Sequence, residues 1–185
     1  MKKKLILYAV CLVIMGVTML ACTKYFVKVR HPLLYENEVE KYSEEYGVDE
    51  YLLYAVICTE SGFDPDAESS AGAIGLTQIT EPTFEWLCMK AHESGRFSDL
   101  YRPDVSIKYG AYFLSLLLDE FPDRSTALAA YHAGRGRVNT WLKDGDYSAD
   151  GRKLDKIPLS DTAHYVSKVN DAYDTYIKLY AAKEK

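Results

Sequence analysis

The feature that most constrains the fold of this chain is the continuous apolar run Tyr51–Thr59, which ends in a carboxylate at Glu60. A surface helix carries its apolar residues on one stripe, whereas a run that is apolar on all sides indicates a helix buried in the core. Apolar surroundings disfavour the charged form of a carboxylate at the end of such a helix. Glu60 is therefore either an ordinary solvated residue or a carboxylic acid that keeps its proton near neutral pH, as a general acid requires.

The chain beyond His31 is patterned as helices separated by glycine and proline. The predicted helices, with Asn37, Asp49 and Ser125 as capping residues, are Asn37–Tyr46, Asp49–Glu60, Pro82–His92, Asp104–Phe121, Ser125–Ala133, Arg137–Leu142 and Ser160–Tyr180. The segment Gly62–Ile79 is rich in glycine, serine and proline and is predicted to be a long loop, which is typical of a functional segment. No strand of normal length is predicted, so we expect an all-α domain over residues 38–182.

Charge and cysteine content narrow the function classes. The net charge of -5 argues against a nucleic-acid partner, which usually selects a basic face. The four cysteines have no metal-ligand spacing, and we predict no metal and no cofactor. Cys58 and Cys88 are either small buried hydrophobic residues or, outside the cell, partners in a disulfide.

The first part of the chain is predicted to meet a membrane. Residues 1–4 hold three lysines and form a short cytoplasmic tip, and the uncharged run Leu5–Cys22 opens an apolar segment over residues 5–27. That segment is long enough to cross a hydrocarbon core of about 30 Å as a helix, and residues 28–37 then form a stalk. Two alternatives stay open: a lipoprotein signal that ends at Cys22, and a cleaved export signal.

Four separated stretches carry a family resemblance, and they occur in a fixed order within the helical pattern. They are Glu60–Phe63, Ser69–Gln78, Ala129–Gly134 and Asp161–Val169. Together they resemble the catalytic domain of lytic transglycosylases, relatives of goose-type lysozyme, over about Tyr42 to Tyr176. The resemblance implies a lysozyme-like helical domain that lies outside the cytoplasm, where peptidoglycan is found. With the apolar segment, the expected architecture is this domain after an N-terminal transmembrane helix.

The resemblance also implies roles for five residues. Glu60 would be the single catalytic acid and base, and Ser61 beside it would position this glutamate or the substrate. Gln78, Tyr131 and Tyr165 would contact the sugar or hold the acid in place, although each tyrosine could instead be an ordinary core residue.

Two positions depart from the family pattern. Thr77 stands where the family usually has Met, and His132 stands where it usually has Asn, so the roles of those two positions do not transfer directly.

The implied reaction needs only one carboxylate. A glycosidase normally uses two, and no convincing second one is found, since Asp64 before Pro65 is typical of a turn. In lytic transglycosylases the C6 hydroxyl of N-acetylmuramic acid (MurNAc) attacks its own C1, so the bond to N-acetylglucosamine (GlcNAc) is cut and a 1,6-anhydro end remains. The alternatives are a muramidase that uses water on the same scaffold, and an inactive peptidoglycan-binding module.

Overall fold

The computed structural model describes residues 2–181, with side chains described for residue 12 and for residues 14–181. The chain divides into two units between Pro32 and Leu33, within the segment predicted to be a stalk. The first unit contains one helix, α1, Lys2–Arg30. Its described apolar side chains are largely exposed, and they include Leu12, Ile14, Met15, Val17, Met19 and Leu20.

The predicted transmembrane helix is not supported by the described residues. Among them, the structure has no helix that is both long and apolar enough to cross a membrane. Much of the predicted anchor, from Leu5 to Cys11 together with Val13, lies outside the described side chains, as do Met1 of the predicted tip and Ala182 at the end of the predicted domain. The anchor therefore stays a prediction from the sequence.

Within the described residues, the regular secondary structure of the second unit is helical, apart from isolated β-bridges in one loop. Its α-helices are α2 Glu36–Tyr46, α3 Glu50–Glu60, α4 Glu81–Ala91, α5 Pro103–Glu120, α6 Arg124–Ala133, α7 Arg135–Trp141 and α8 Ser160–Leu179, and a short 3-10 helix covers Phe97–Tyr101. The bridges pair Ile74 with Glu68 and with Ile79, and they fold the glycine-rich loop back on itself.

Helix α3 lies in the centre of the core, as its continuous apolar sequence predicts. Leu53 and Ile57 have no exposed surface, and α3 packs along α8, where the rings of Tyr54 and Tyr176 stack with centroids 5.5 Å apart. The predicted cap of this helix is also confirmed, because the Asp49 side chain accepts a hydrogen bond of 3.0 Å from the backbone N–H of Leu52. Burial of α3 holds its C-terminal residue, Glu60, in a fixed place.

Two predicted caps are wrong. Asn37 lies inside α2, which instead follows Tyr35 in a left-handed conformation with φ of 59°. Helix α6 is capped by Asp123 rather than Ser125, since the Asp123 carboxylate accepts from both the N–H and the hydroxyl of Thr126. Capping sequences near a helix start compete with one another, and the tertiary fold decides which one is used.

The two domain cysteines do not form a disulfide. The Cys58 and Cys88 thiols are both reduced, and the Cys88 thiol donates a hydrogen bond of 3.4 Å to the Tyr109 hydroxyl. Burial raises the pKa of the Cys58 thiol, which keeps it protonated and unreactive. Both residues therefore act as small packed side chains.

Candidate active site

A groove with a volume of about 630 Å³ opens beside the end of α3. Its walls come from the glycine-rich loop, from α4 and α5, and from the turn between α6 and α7. Its lining residues are Glu60, Ser69, Ala71, Ala73, Gln78, Ile79, Thr80, Pro82, Thr83, Trp86, Phe113, Tyr131, His132, Ala133, Gly134 and Arg135. Among these described residues Glu60 is the one acid, so the groove holds a single carboxyl group.

Glu60 is partly buried at the edge of this groove, and its environment favours the protonated acid. Burial raises the pKa of Glu60 to about 7, and the nearby Tyr165 hydroxyl opposes part of that rise. A carboxylic acid with a pKa close to the working pH can both donate a proton and take one back. The group therefore has the protonation behaviour that acid and base catalysis requires.

Tyr165, on α8, is the polar neighbour of this acid. Its hydroxyl is buried and makes no hydrogen bond of standard geometry among the described residues, but it lies close enough to lower the pKa of Glu60. In return, burial and the Glu60 carboxyl raise the pKa of Tyr165 well above its ordinary value. The hydroxyl therefore stays protonated, and it is available as a donor to the carboxylate that forms when Glu60 gives up its proton.

Tyr131 lines the groove but is anchored by its own hydrogen bond. Its hydroxyl donates to the backbone carbonyl of Thr77 at 2.8 Å, and its ring packs on Phe113 with centroids 4.8 Å apart. Burial and the Glu60 carboxyl raise the pKa of Tyr131 well above the ordinary value. Tyr131 thus ties α6 to the glycine-rich loop, and its ring forms a wall of the groove.

Ser61 does not line the groove. Its hydroxyl donates to the backbone carbonyls of Ile57 and Leu76, at 3.2 and 2.9 Å, and it accepts from the N–H of Phe63 at 3.1 Å. These bonds join the end of α3 to the glycine-rich loop. The arrangement fits the positioning role implied for Ser61, whereas direct contact with substrate stays a prediction.

Gln78 reaches the groove with half of its amide already occupied. Its side-chain NH₂ donates to the backbone carbonyls of Ala67 and Gly75, at 2.9 and 3.0 Å, and its backbone adopts a left-handed φ of 48°. Both amide protons are used within the loop, so the carbonyl oxygen is the part of the amide left for a ligand. Gln78 can therefore accept a hydrogen bond from a substrate hydroxyl.

The departure at Thr77 lies away from the groove, in the core. The Thr77 hydroxyl donates to the backbone carbonyl of Ser106 at 2.9 Å, and Thr77 has no exposed surface. A Cβ atom added at Gly110 would lie 2.4 Å from the Thr77 methyl carbon, so α5 passes very close to this side chain. Thr77 therefore shapes the packing beneath the loop without lining the groove.

The departure at His132 lies on the groove surface. The imidazole ring stacks on Tyr165 with centroids 4.6 Å apart, and its Nδ1 is 3.1 Å from the Thr162 hydroxyl. Burial lowers the pKa of His132, while the Asp161 carboxylate opposes that change. The ring is therefore neutral near pH 7 and touches the tyrosine that neighbours the acid.

Several lining residues were missed by the sequence analysis, notably Trp86 and Arg135. Trp86 is partly exposed and packs edge-on against Phe113 at 6.2 Å, and Arg135 forms an ion pair with Glu120. A partly exposed tryptophan in a groove is typical of a platform for an apolar sugar face. The sequence alone does not place Trp86 in the groove, because an aromatic residue in an amphipathic helix is equally typical of the core.

Asp64, the nearest carboxylate in sequence, is used in a turn, as predicted. Its Oδ1 accepts from the N–H of Asp66 at 3.0 Å, and the residue is exposed. Asp64 does not line the groove. A second catalytic carboxylate is thus absent from the described lining of the groove.

Comparison with known proteins identifies the family. A family model described as the Transglycosylase SLT domain matches residues 37–153. The soluble lytic murein transglycosylase of Escherichia coli strain K12 is 32% identical over 155 residues, covering 82% of this chain and 24% of that protein. The membrane-bound lytic murein transglycosylase C of Serratia proteamaculans is 29% identical over 189 residues, covering 89% of this chain and 52% of that protein. The chain thus spans about a quarter of the soluble relative's length and about half of the membrane-bound one's.

A solved structure gives the same result. The X-ray structure of an inactive Glu-to-Gln mutant of lytic transglycosylase Slt from Pseudomonas aeruginosa superposes with a TM-score of 0.71 at 31% identity, covering 83% of this chain and 25% of that one. The predicted all-α, lysozyme-like fold is confirmed by this superposition. With the family model covering more than half of its length and the fold in agreement, the chain belongs to the SLT transglycosylase family.

Proposed function

We propose that this chain is a peptidoglycan lytic transglycosylase that cleaves the β-1,4 bond between MurNAc and GlcNAc and leaves 1,6-anhydroMurNAc ends. The observation that carries the proposal is the lone carboxyl group of the groove, whose pKa burial raises to about 7. One acid suffices when the substrate brings its own nucleophile. An attacking hydroxyl that is already tethered can contribute up to about 7–11 kcal/mol through its high effective concentration.

Glu60 acts twice in this reaction. It first donates its proton to the glycosidic oxygen, so that the bond from MurNAc C1 to that oxygen breaks and GlcNAc leaves with a new hydroxyl. The C6 oxygen of the same MurNAc then bonds to C1, and the Glu60 carboxylate takes the C6 hydroxyl proton. The acid is thereby restored, and no water is consumed.

The surrounding residues support these steps. The Tyr165 hydroxyl can donate to the Glu60 carboxylate between the two proton transfers, and the Gln78 carbonyl oxygen can accept from a sugar hydroxyl. Ser61 and Tyr131 hold the loop that carries Gln78 against the end of α3 and against α6. The glycan strand of peptidoglycan is the proposed partner, and no part of this scheme needs a metal or cofactor.

Digestion of purified sacculi by the full chain, followed by mass analysis of the muropeptides, tests the proposal. A lytic transglycosylase releases products with anhydro ends, which weigh one water less than reducing ends. Reducing ends would instead identify a muramidase on the same scaffold. Binding to sacculi without any release would identify an inactive binding module.

The activity is expected to fall as pH rises above about 7. Glu60 must start the cycle protonated, and the protonated fraction falls about tenfold per pH unit above its pKa. Initial rates of muropeptide release, measured from about pH 5 to about pH 9, check this fall in activity. A rate that keeps rising to the alkaline end would contradict the role of Glu60 as the acid.

Replacing Tyr165 with phenylalanine is expected to move the alkaline fall in activity to higher pH. The Tyr165 hydroxyl lowers the pKa of Glu60, so its removal leaves the carboxyl with a higher pKa. The matched control is Tyr173→Phe on the same helix, because the Tyr173 hydroxyl contacts Asp49, away from the groove. If activity falls at the same pH in Tyr165→Phe as in wild type, or if the control shifts equally, Tyr165 does not set the pKa of Glu60.

We further propose that α1 is a single-pass membrane anchor, with the catalytic domain on the extracytoplasmic side. The uncharged run Leu5–Cys22, the exposed described side chains of α1 and the membrane-bound relative support this placement. A lipoprotein attached at Cys22 is the alternative. Mass measurement of the chain extracted from membranes separates them, because a spanning helix keeps the residues before Cys22, whereas a lipoprotein loses them and carries acyl chains on Cys22.

A further inference from the structure

His132 lies where the groove meets a second cavity. That cavity has a volume of about 260 Å³ and is lined by His132, Ala133, Arg137, Leu159, Ser160, Asp161 and Thr162. His132 and Ala133 line both spaces. One face of the imidazole is covered by Tyr165, while the residue as a whole is exposed. The part of the ring that Tyr165 does not cover is therefore accessible to a ligand that fills the groove.

The hydrogen bond to Thr162 determines which ring nitrogen carries the proton. Thr162 is 1% exposed, and its hydroxyl has no other hydrogen-bond partner among the described residues than His132 Nδ1, at 3.1 Å. A buried hydroxyl proton needs an acceptor, and Nδ1 is the one available. The Thr162 hydroxyl therefore donates to Nδ1, which leaves the proton of the neutral ring on Nε2.

The Nε2–H group is left without a protein acceptor. Within the described part of the chain the only hydrogen bond of the His132 ring is the one to Thr162. Stacking on Tyr165 and the bond to Thr162 hold the ring in one orientation. A side-chain amide at this position could turn over and offer either a donor or an acceptor, whereas this imidazole offers only the donor.

We propose that His132 is a substrate-binding residue whose Nε2–H donates a hydrogen bond to an uncharged acceptor oxygen of the glycan, a hydroxyl or an acetamido carbonyl. This inference rests on the proposed function, because it assumes that a glycan occupies the groove. It gives His132 no share in proton transfer, since Glu60 both donates and recovers the proton.

Nitrogen-15 NMR of the full chain, labelled at histidine, reads the tautomer directly. Near pH 7.5, in the absence of ligand, His132 is expected to be protonated at Nε2 and unprotonated at Nδ1. Thr162→Val keeps the size of the side chain and removes the hydroxyl, so a mixture of tautomers is expected. A wild-type ring protonated at Nδ1 would overturn the assignment.

Titration with tetra-N-acetylchitotetraose tests the ligand contact without requiring turnover. This probe has acetamido and hydroxyl oxygens but no carboxylate, so it represents the uncharged glycan alone. The Nε2 resonance is expected to shift on binding. His132→Phe, which keeps the ring on Tyr165 but has no donor, is expected to weaken binding by about 3- to 10-fold, the size of one neutral hydrogen bond.

His132→Asn is the matched variant, because it restores a donor and loses the stacked ring. Binding within about twofold of wild type is expected for it, as an amide can replace the missing hydrogen bond. Equal weakening in the Asn and Phe variants would show that only the stacked imidazole matters and would overturn the proposal. So would unchanged binding in His132→Phe.

The two proposals can fail separately. If the wild-type chain binds the tetrasaccharide through His132 but releases nothing from sacculi, the proposed reaction fails and the contact stands. If sacculi are digested to anhydro products while the His132 variants bind the probe as wild type does, the contact fails and the reaction stands.

Discussion

Glu60→Gln is expected to reduce the release of muropeptides from sacculi by on the order of 10²- to 10⁴-fold, the usual contribution of a positioned acid and base. Glutamine has nearly the same shape but cannot donate or accept the proton that the glycosidic and C6 oxygens exchange. Binding to sacculi should persist, since the groove keeps its walls. Mass analysis of the soluble products and a pull-down with intact sacculi measure the two quantities separately.

The control for this prediction is Glu40→Gln on α2. Glu40 is exposed and does not line the groove, so its variant should digest sacculi at the wild-type rate. Digestion by Glu60→Gln at a rate close to that of the control would end the proposal that Glu60 is the catalytic acid.

The same substitution should stabilise the fold at alkaline pH. Burial raises the pKa of Glu60 to about 7 in the folded protein. The protonated side chain therefore contributes to the free energy of unfolding fully below its ordinary pKa, and this contribution is lost as pH rises through about 7. A neutral glutamine avoids that loss, which is worth about 1–3 kcal/mol for a partly buried group. Thermal unfolding should therefore favour Glu60→Gln over wild type at about pH 8, with the difference vanishing near pH 4.

Among substitutions that add one methyl group to the glycine-rich loop, Gly75→Ala is expected to destabilise the fold most. Gly75 has φ of +77°, and an added Cβ would lie 2.1 Å from the backbone oxygen of Leu100, which cannot rotate away. Backbone strain and overpacking together should cost about 3 kcal/mol or more. For a domain of this size, that corresponds to a fall of about 6–12 °C in Tm, measurable by calorimetry.

Gly72→Ala separates the two contributions to that cost. Gly72 has nearly the same backbone conformation, with φ of +76°, but no heavy atom lies within 4 Å of an added Cβ. The free energy of unfolding of Gly72→Ala should therefore fall only by the cost of backbone strain, about 1 kcal/mol. Equal loss in both variants would mean that the contact with Leu100 is not what excludes a side chain at Gly75.

The helical fold follows from sequence patterns that act locally. The apolar run of α3 and the Asp49 cap predict a buried helix with Glu60 at its end, because hydrophobic periodicity and capping depend on neighbouring residues. The wrong caps at Asn37 and Ser125 have the same origin. Several polar residues near a helix start can serve as a cap, and only packing with distant helices decides between them.

The side-chain roles within the groove depend on contacts between distant parts of the chain. Ser61 is bonded to Leu76, and Gln78 to Ala67, so their orientations follow from the folded loop rather than from the sequence around them. The stacking of His132 on Tyr165 joins residues of α6 and α8 that are more than thirty positions apart in the sequence. Such contacts leave no periodic signal, and a resemblance to a family supplies candidate residues without giving their geometry.

The close approach of α5 to Thr77 has a consequence for protein engineering and for evolution. Because Gly110 has no side chain that could give way, the residues at positions 77 and 110 limit one another's size. Replacing Thr77 with the family's methionine would press extra methylene groups against the backbone of α5 at Gly110. Across homologous sequences the two positions should therefore coevolve, with a larger side chain at one accompanied by a smaller one at the other.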